Sequence, residues 1–433
     1  MRHARGWVLP LAVVAIAGCQ DEAPLGVDPD LVPLEPQTVE VLLPWEAFGR
    51  DLQVLGGFGA PNELGRGTLA VDFAGELNAR TLIRWGPYPV SAVVRDTSGV
   101  NRPDSSLTYV GGRVVLFFDT LASTNEGPVT IEVGATEVPW HAPTVSWTLA
   151  TDTIGDRTPW PEPGAGPVRP LGSVVWDPAE GDSVSLAVDS ATIAAWGDTT
   201  DASRGLRISM VEAGERLQVG LARLRLEARP SIRPDTLVEV SAFVQDITFV
   251  FDPSPEPPPD GLRVGGAPAW RSVLTLDVPD SVRPDASVCA RVRCPIALRT
   301  DRLNQAELVL TTRASPPAFQ PTDTTRLDVR VVLAPERLPK APLGPTLTGQ
   351  QGTALPPEYF GEAPGRKVVV PLTAFVNTIL TQGDTASRPV NTLALLSVFE
   401  PISIAFASFD GPGSEGAPVL RLVLTVTDPV KLP

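Results

Sequence analysis

The stretch Ala222-Arg-Leu-Arg-Leu-Glu-Ala-Arg229 alternates apolar and charged side chains without a break. Period two with one charged face describes a strand packed on a core from one side and wet on the other. The pattern recurs in Val129-Thr-Ile-Glu-Val133, Val184-Ser-Leu-Ala-Val188, Leu327-Asp-Val-Arg-Val331 and Leu420-Arg-Leu-Val-Leu-Thr-Val426. One-sided strands of this kind belong to antiparallel sheets rather than buried parallel ones. With 37 glycines and 47 prolines punctuating 433 residues, the chain reads as all-β, built of short strands and tight turns in sandwiches.

The two halves resemble each other. Residues 183–209 and 367–397 each run through an alternating strand, a short helix, Gly-Asp-Thr, a polar loop and another strand. The helix is expected to be capped by Asp189 or Ser190 in one half and by Thr373 in the other. Ile193 and Trp196, three apart, and Phe375 and Ile379, four apart, give each helix one apolar face for a sheet. Flanking strands keep the same order: Arg80–Trp85 matches Arg271–Leu276, Arg113–Phe118 matches Ala306–Leu310, and Leu237–Val240 matches the strand near Leu420. A repeat near 190 residues is too long for a solenoid and indicates a duplicated domain. The expected division is a signal peptide at 1–18, a cysteine and flexible tether at 19–37, and two tandem antiparallel β-sandwiches of jelly-roll type at 38–244 and 245–433. Each sandwich carries one short helix. Ile247-Thr-Phe-Val-Phe251 is assigned as the first strand of the second sandwich, with Pro253–Pro259 as a rival boundary.

Arg2, His3 and Arg5 precede an apolar run, Val8 to Ala17, closed by Ala17-Gly18-Cys19. A basic start, a brief apolar stretch and small residues describe a secretory signal rather than a membrane span. The cysteine after Ala-Gly resembles the lipobox of bacterial lipoproteins. That resemblance implies that Cys19 becomes the mature N-terminus, carries lipid, and anchors the chain to a membrane. Gln20 directly after it resembles the sorting pattern for the outer membrane. Residues 20–37, broken by Pro24, Pro29, Pro33 and Pro36, read as an extended tether. A formal charge of −15, more negative once Arg2 and Arg5 are removed, argues against nucleic acid as a partner.

The order of alternating strands, a short helix ending near Trp196, then Gly205-Leu206 and a further strand is similar to DNRLRE-type modules. Asn304-Gln-Ala-Glu-Leu-Val-Leu310 also resembles a strand segment of that family. The resemblance implies a β jelly-roll of bacterial surface proteins related to carbohydrate-binding modules. The family's name-giving motif is absent, and its Asn-x-Gly-Leu turn is replaced by Ser203-Arg204-Gly205-Leu206 and Val390-Asn391-Thr392-Leu393.

Chemistry is sparsely supplied. Cys289 and Cys294, with four residues between them in an exported chain, are expected to form a disulfide. His141 is the sole histidine left after processing, with no nucleophile elbow beside it. Paired carboxylates could support glycoside hydrolysis, but the sequence singles out no two, so a polysaccharide-active enzyme stands only as a distant alternative; no cofactor or metal site is expected. Asp198 and Asp201, with Asp384 in the second copy, sit in matching loops where calcium is one reading and turn geometry the other. The best ligand candidates are Trp140, Trp147, Trp160 and Trp176, clustered in proline-rich sequence. Exposed, they would stack on sugar rings; buried, they would plug a core. The expected function is a non-catalytic, lipid-anchored envelope protein with polysaccharide the favoured ligand class, a reading that a row of exposed rings would favour. Buried rings favour a scaffold for an envelope protein partner.

Overall fold

The computed structural model describes residues 36–427 apart from 57–65, 154, 253–255, 267–268, 340, 383–389 and 401–402. Cys19, the signal and most of the tether lie outside the described residues, as does Asp384. The fold is two antiparallel β-sandwiches of jelly-roll type. Among the described residues no helix is long and apolar enough to cross a membrane.

The N-terminal sandwich is one ten-stranded sheet curled on itself. Its path begins at Val168–Trp176 and ends at Ser183–Val188. A β-bulge lies between Pro170 and Gly172. A side chain at Gly172 would meet Leu186, so the two ends of the path come together and nearly close a barrel. The interior holds Ile83, Trp85, Leu116, Phe118, Trp176, Ile193, Trp196 and Leu224. The C-terminal sandwich has two six-stranded sheets over a core that includes Leu274, Leu308, Leu395, Phe409 and Leu422.

Several elements recur in the same order and pairing in both sandwiches. In each copy a long strand, Leu107–Phe118 or Leu303–Arg313, pairs with the strand entering the helix, Ser183–Val188 or Lys367–Pro371. The helices are Ser190–Gly197 and Thr373–Gln382. The strand after each, Leu206–Met210 or Thr392–Ser397, lies between Leu77–Trp85 and Val129–Thr136, or between Arg271–Leu276 and Thr325–Val332. Asp189 caps its helix as expected, accepting from the Thr192 backbone N–H at 2.9 Å. Ile193 and Trp196 are buried beneath it. Thr373 does otherwise: its hydroxyl accepts from the Ala306 N–H at 3.0 Å, tying the helix to the neighbouring strand.

Strand allegiance departs from a division at 244/245 at both ends. Val244–Asp252, which contains Ile247–Phe251, pairs with Leu77–Trp85 in the N-terminal sandwich. Gln37–Pro44 pairs with Val419–Val426, and Gly49–Leu55 with Arg271–Leu276, both in the C-terminal sandwich. Val238–Ala242 pairs with Leu224–Ala228. It therefore occupies in the N-terminal sandwich the place of Gln37–Pro44 in the other, not that of the strand near Leu420. Alternation marks which face of a strand is buried; it carries no information on whose edge the strand will join.

The sandwiches meet through a shared apolar cluster. Leu77, Ala79 and Phe249 from one side pack with Trp270, Phe319 and Phe406 from the other. This cluster is separate from the cores of the two sandwiches.

Candidate functional site

Val129–Thr136 and Val168–Trp176 are neighbours in the sheet, and Thr136 and Val168 are register partners. The chain between them, 137–167, is an excursion that leaves and returns at one point. It carries its own two-stranded piece, Leu149–Thr153 with Asp156–Pro159. It packs on the outer face of the sheet, where Trp140, Val145, Ala150 and Trp160 cluster with Leu82 and Val250.

This placement buries the tryptophans. Trp140, Trp160 and Trp176 are 3%, 5% and 2% exposed. Trp160 donates its indole N–H to the Ser146 carbonyl at 3.0 Å. Trp176 lies in the barrel interior, stacked on Phe118 with ring centroids 4.3 Å apart. The four residues do not form a solvent-facing row; three plug cores. Trp147 alone is half-buried, with the Arg80 guanidinium over its ring at 5.0 Å.

Beneath the excursion lies a set of arginines that composition does not reveal. Leu77–Trp85 turns Arg80, Leu82 and Arg84 to the outer face. The Arg84 guanidinium lies 4.1 Å from the Trp140 ring centroid. It donates to the carbonyls of Trp140, Ala202 and Arg204 at 2.8, 3.0 and 3.3 Å, and to Asp246 at 3.1 Å. Removing it from water is compensated by these partners. The sequence signal was present: Arg80 and Arg84 fall four positions apart on one face of the strand, with Leu82 between them.

Arg80, Arg207, Trp147, Asn78, Ser209 and Glu132 line a cavity of about 270 Å³ at the edge of the excursion. The Arg207 Nε is buried and has no hydrogen-bond partner among the described residues. Burial, with Arg80 beside it, pulls the guanidinium down to about 10 against the pull of Glu132 and Glu162. Both signs of charge therefore face this cavity. A second hollow, about 330 Å³, opens between the sandwiches, with Leu121 and Phe399 among its lining residues.

The other sequence candidates resolve locally. Cys289 and Cys294 are disulfide-bonded, their Cα atoms 5.5 Å apart. Asp198 accepts from the backbone N–H and hydroxyl of Thr200, and Asp201 does the same for Ser203. These carboxylates serve turns. Among the described residues no group of three or more His, Cys, Asp or Glu side chains is placed to hold a metal. His141 is exposed and pairs through Nδ1 with the Thr144 hydroxyl at 2.9 Å.

The surface feature that sequence reasoning missed lies at one end of the N-terminal sandwich. A small hairpin pairs Ala92–Arg95 with Asn101–Asp104. It packs beside residues 231–243. Asp104 accepts from the Ser231 hydroxyl and the Ile232 N–H, Arg233 donates to the Arg95 carbonyl, and the Gly86 N–H donates to the Phe243 carbonyl. On these two bonded segments Val90, Val93 and Phe243 are 82%, 71% and 73% exposed. Val100, Ile232 and Leu237 are exposed there too. Scattered exposed apolar residues are ordinary; several on adjoining segments make this end of the sandwich a candidate interaction surface.

No protein-family model matches the chain, and no curated protein matches it in sequence. Among solved structures it is similar to the native virion of Kashmir bee virus, with 11% identity over 60% of this chain and 95% of that one, at a TM-score of 0.16. It is also similar to Sulfolobus turreted icosahedral virus, with 10% identity over 89% and 92% of the two chains, at a TM-score of 0.11. Superpositions this weak assign neither a function nor a site, and the fold assignment rests on the strand pairing itself.

Proposed function

We infer that this chain is a non-catalytic, lipid-anchored protein of the bacterial cell envelope, at the outer membrane, that works as a scaffold for a protein partner. The observation that supports this most directly is the apolar surface of Val90, Val93, Leu237 and Phe243 on two adjoining segments. Rigid β-sandwich frameworks present such surfaces without moving, and a desolvated apolar centre is what protein interfaces use. Burial of Trp140, Trp160 and Trp176 removes the stacking row that a polysaccharide reading needs. Lipid on Cys19 would join the tether directly to Gln37, so the C-terminal sandwich, which holds that strand, would stand nearest the membrane.

The test is crosslinking in the native envelope with a photoreactive phenylalanine analogue at Phe243, and at Leu333 as an exposed control on the other sandwich. One discrete adduct from Phe243 and none from Leu333 supports the scaffold. No adduct from either removes it. A second reading rests on Trp147 beside the Arg80–Arg207 cavity: a single acidic sugar could stack there. Polysaccharide binding by the soluble chain that is lost in Trp147→Ala would favour it. Release of Cys19→Ser from membranes tests the anchor.

A further inference from the structure

Arg207 has two neighbours across the ladder, Leu82 on one strand and Gly134 on the other. Arg80 and Glu132 stand two residues along from those neighbours, on the same outer face. They are its diagonal partners, roughly 7–8 Å away and within reach of long side chains. Two arginines and a carboxylate thus share one floor of the cavity of about 270 Å³.

The excursion 137–167 builds one wall. The Gly164 N–H donates to the Trp147 carbonyl at 2.7 Å, and the Gly164 carbonyl accepts from Arg80 Nη1 at 2.8 Å. Gly164 has a φ of +79°, and a side chain there would stand 2.5 Å from Arg80 Nη1 and 2.9 Å from the Trp147 ring. Glycine at this point lets the excursion seat Trp147 against Arg80. Arg80 is thereby held by a carbonyl and a ring. Arg207 is not: its Nε is buried with no hydrogen-bond partner among the described residues. Glu132 and Glu162 act on it through charge, without a hydrogen bond. A buried donor left in this state costs free energy that an acceptor on a ligand would recover.

We propose that this cavity binds a small zwitterion of the α-amino-acid type, its carboxylate on Arg207 and Arg80 and its ammonium on Glu132. A guanidinium with donors to spare is matched by a carboxylate. Glu132 and Glu162 repel a ligand that is only anionic, and the two arginines repel one that is only cationic. A ligand carrying both charges a short distance apart satisfies the whole floor. The Trp147 ring and the exposed Val211 add apolar surface at the edge, which suits an apolar side chain. The volume falls below the roughly 300–1,000 Å³ of pockets for drug-sized ligands, so one small molecule fills it. The cavity is separate from the apolar surface around Phe243, so the scaffold and this site can fail independently. Its ligand also differs from the acidic sugar of the second reading.

The test is isothermal titration of the full chain, made soluble by Cys19→Ser, with glycine, leucine, N-acetyl-leucine, leucinamide and glucuronate. Glycine presents the bare zwitterion and should bind; leucine should bind more tightly. N-acetyl-leucine, which lacks the ammonium, and leucinamide, which lacks the carboxylate, should each bind about tenfold more weakly than leucine or worse. Arg207→Gln should abolish leucine binding. Glu132→Gln changes an exposed residue and leaves the fold intact; it should bring leucine and N-acetyl-leucine to nearly equal affinity. Absence of binding by both glycine and leucine overturns the site. So does equal binding of the three leucine forms, or leucine affinity unchanged in Arg207→Gln. Glucuronate bound in preference to leucine, and lost in Trp147→Ala, overturns the zwitterion and returns the cavity to the acidic sugar.

Discussion

Phe48→Ala is the sharpest probe of strand allegiance, because residue 48 lies beside the N-terminal body in sequence and inside the C-terminal one in space. Phe48 is 1% exposed and sits edge-to-face on Trp45, with centroids 5.4 Å apart and planes at 73°. Its carbonyl accepts from the Asp277 N–H at 2.6 Å, at the end of the strand Arg271–Leu276. Burying such a ring is worth about 1.5–3 kcal/mol of transfer free energy. The aromatic pair adds about 0.5–1.5 kcal/mol. With the cavity that truncation leaves, Phe→Ala in a core costs about 3–5 kcal/mol. We expect about 4 kcal/mol, taken from the C-terminal sandwich, and roughly a 10 °C fall in its Tm. Amide hydrogen exchange read peptide by peptide separates the sandwiches. Protection should fall in 271–276, 303–313 and 419–426 and hold in 107–118 and 206–230. Loss confined to 67–252, or a cost below about 1 kcal/mol, would refute the assignment of this segment.

Arg84→Met strips the ion pair from Asp246 and the donors from three carbonyls at once, and should cost about 3–5 kcal/mol by urea unfolding; Arg84→Lys should recover little, because an ammonium cannot reproduce the planar fork. Thiol labelling of the oxidised mature protein should find neither Cys289 nor Cys294, and Cys289→Ser should cost about 2 kcal/mol for so short a loop; quantitative labelling without reductant would contradict the disulfide. Glu400, buried against Arg271 at 2.9 Å, has its carboxyl pushed above the usual 4.5 by desolvation. Its contribution to stability is therefore greatest below 4.5 and declines as pH rises through the window above it, a slope that Glu400→Gln should remove from the pH dependence of the urea midpoint. Asp189 is held below 3.8 chiefly by the Thr192 N–H; its cap is present above that pH and lost as pH falls through the lowered value, and Asp189→Ser should preserve near-neutral helicity that Asp189→Ala loses.

Much of the architecture was legible in the chain because it is written at short range. The alternation in Ala222–Arg229 reports a one-sided strand, and Arg216–Pro230 is one. Ile193 and Trp196 report a helical face, and both are buried. Asp189 caps the helix it precedes, and five positions separate the bonded cysteines. The same local logic misplaced Thr373, since its hydroxyl answers to Ala306 on a strand 67 residues away.

Two things had no local signature. A tryptophan in a proline-rich loop reads alike whether it faces water or a sheet; the return of residues 137–167 onto Leu82 and Arg84 decides the matter for Trp140 and Trp160. The closing choice is of the same kind. Gln37–Pro44 buries alternate side chains on one face, a pattern that says nothing of which sandwich receives it. Backbone ladders are nearly indifferent to sequence, and the joined edges, Val419–Val426 and Arg271–Leu276, lie hundreds of residues away. Strands, helices, the disulfide and the duplication were determined by the sequence itself; the partner of each edge, and with it the surface left for other molecules, was decided only by the assembled tertiary structure.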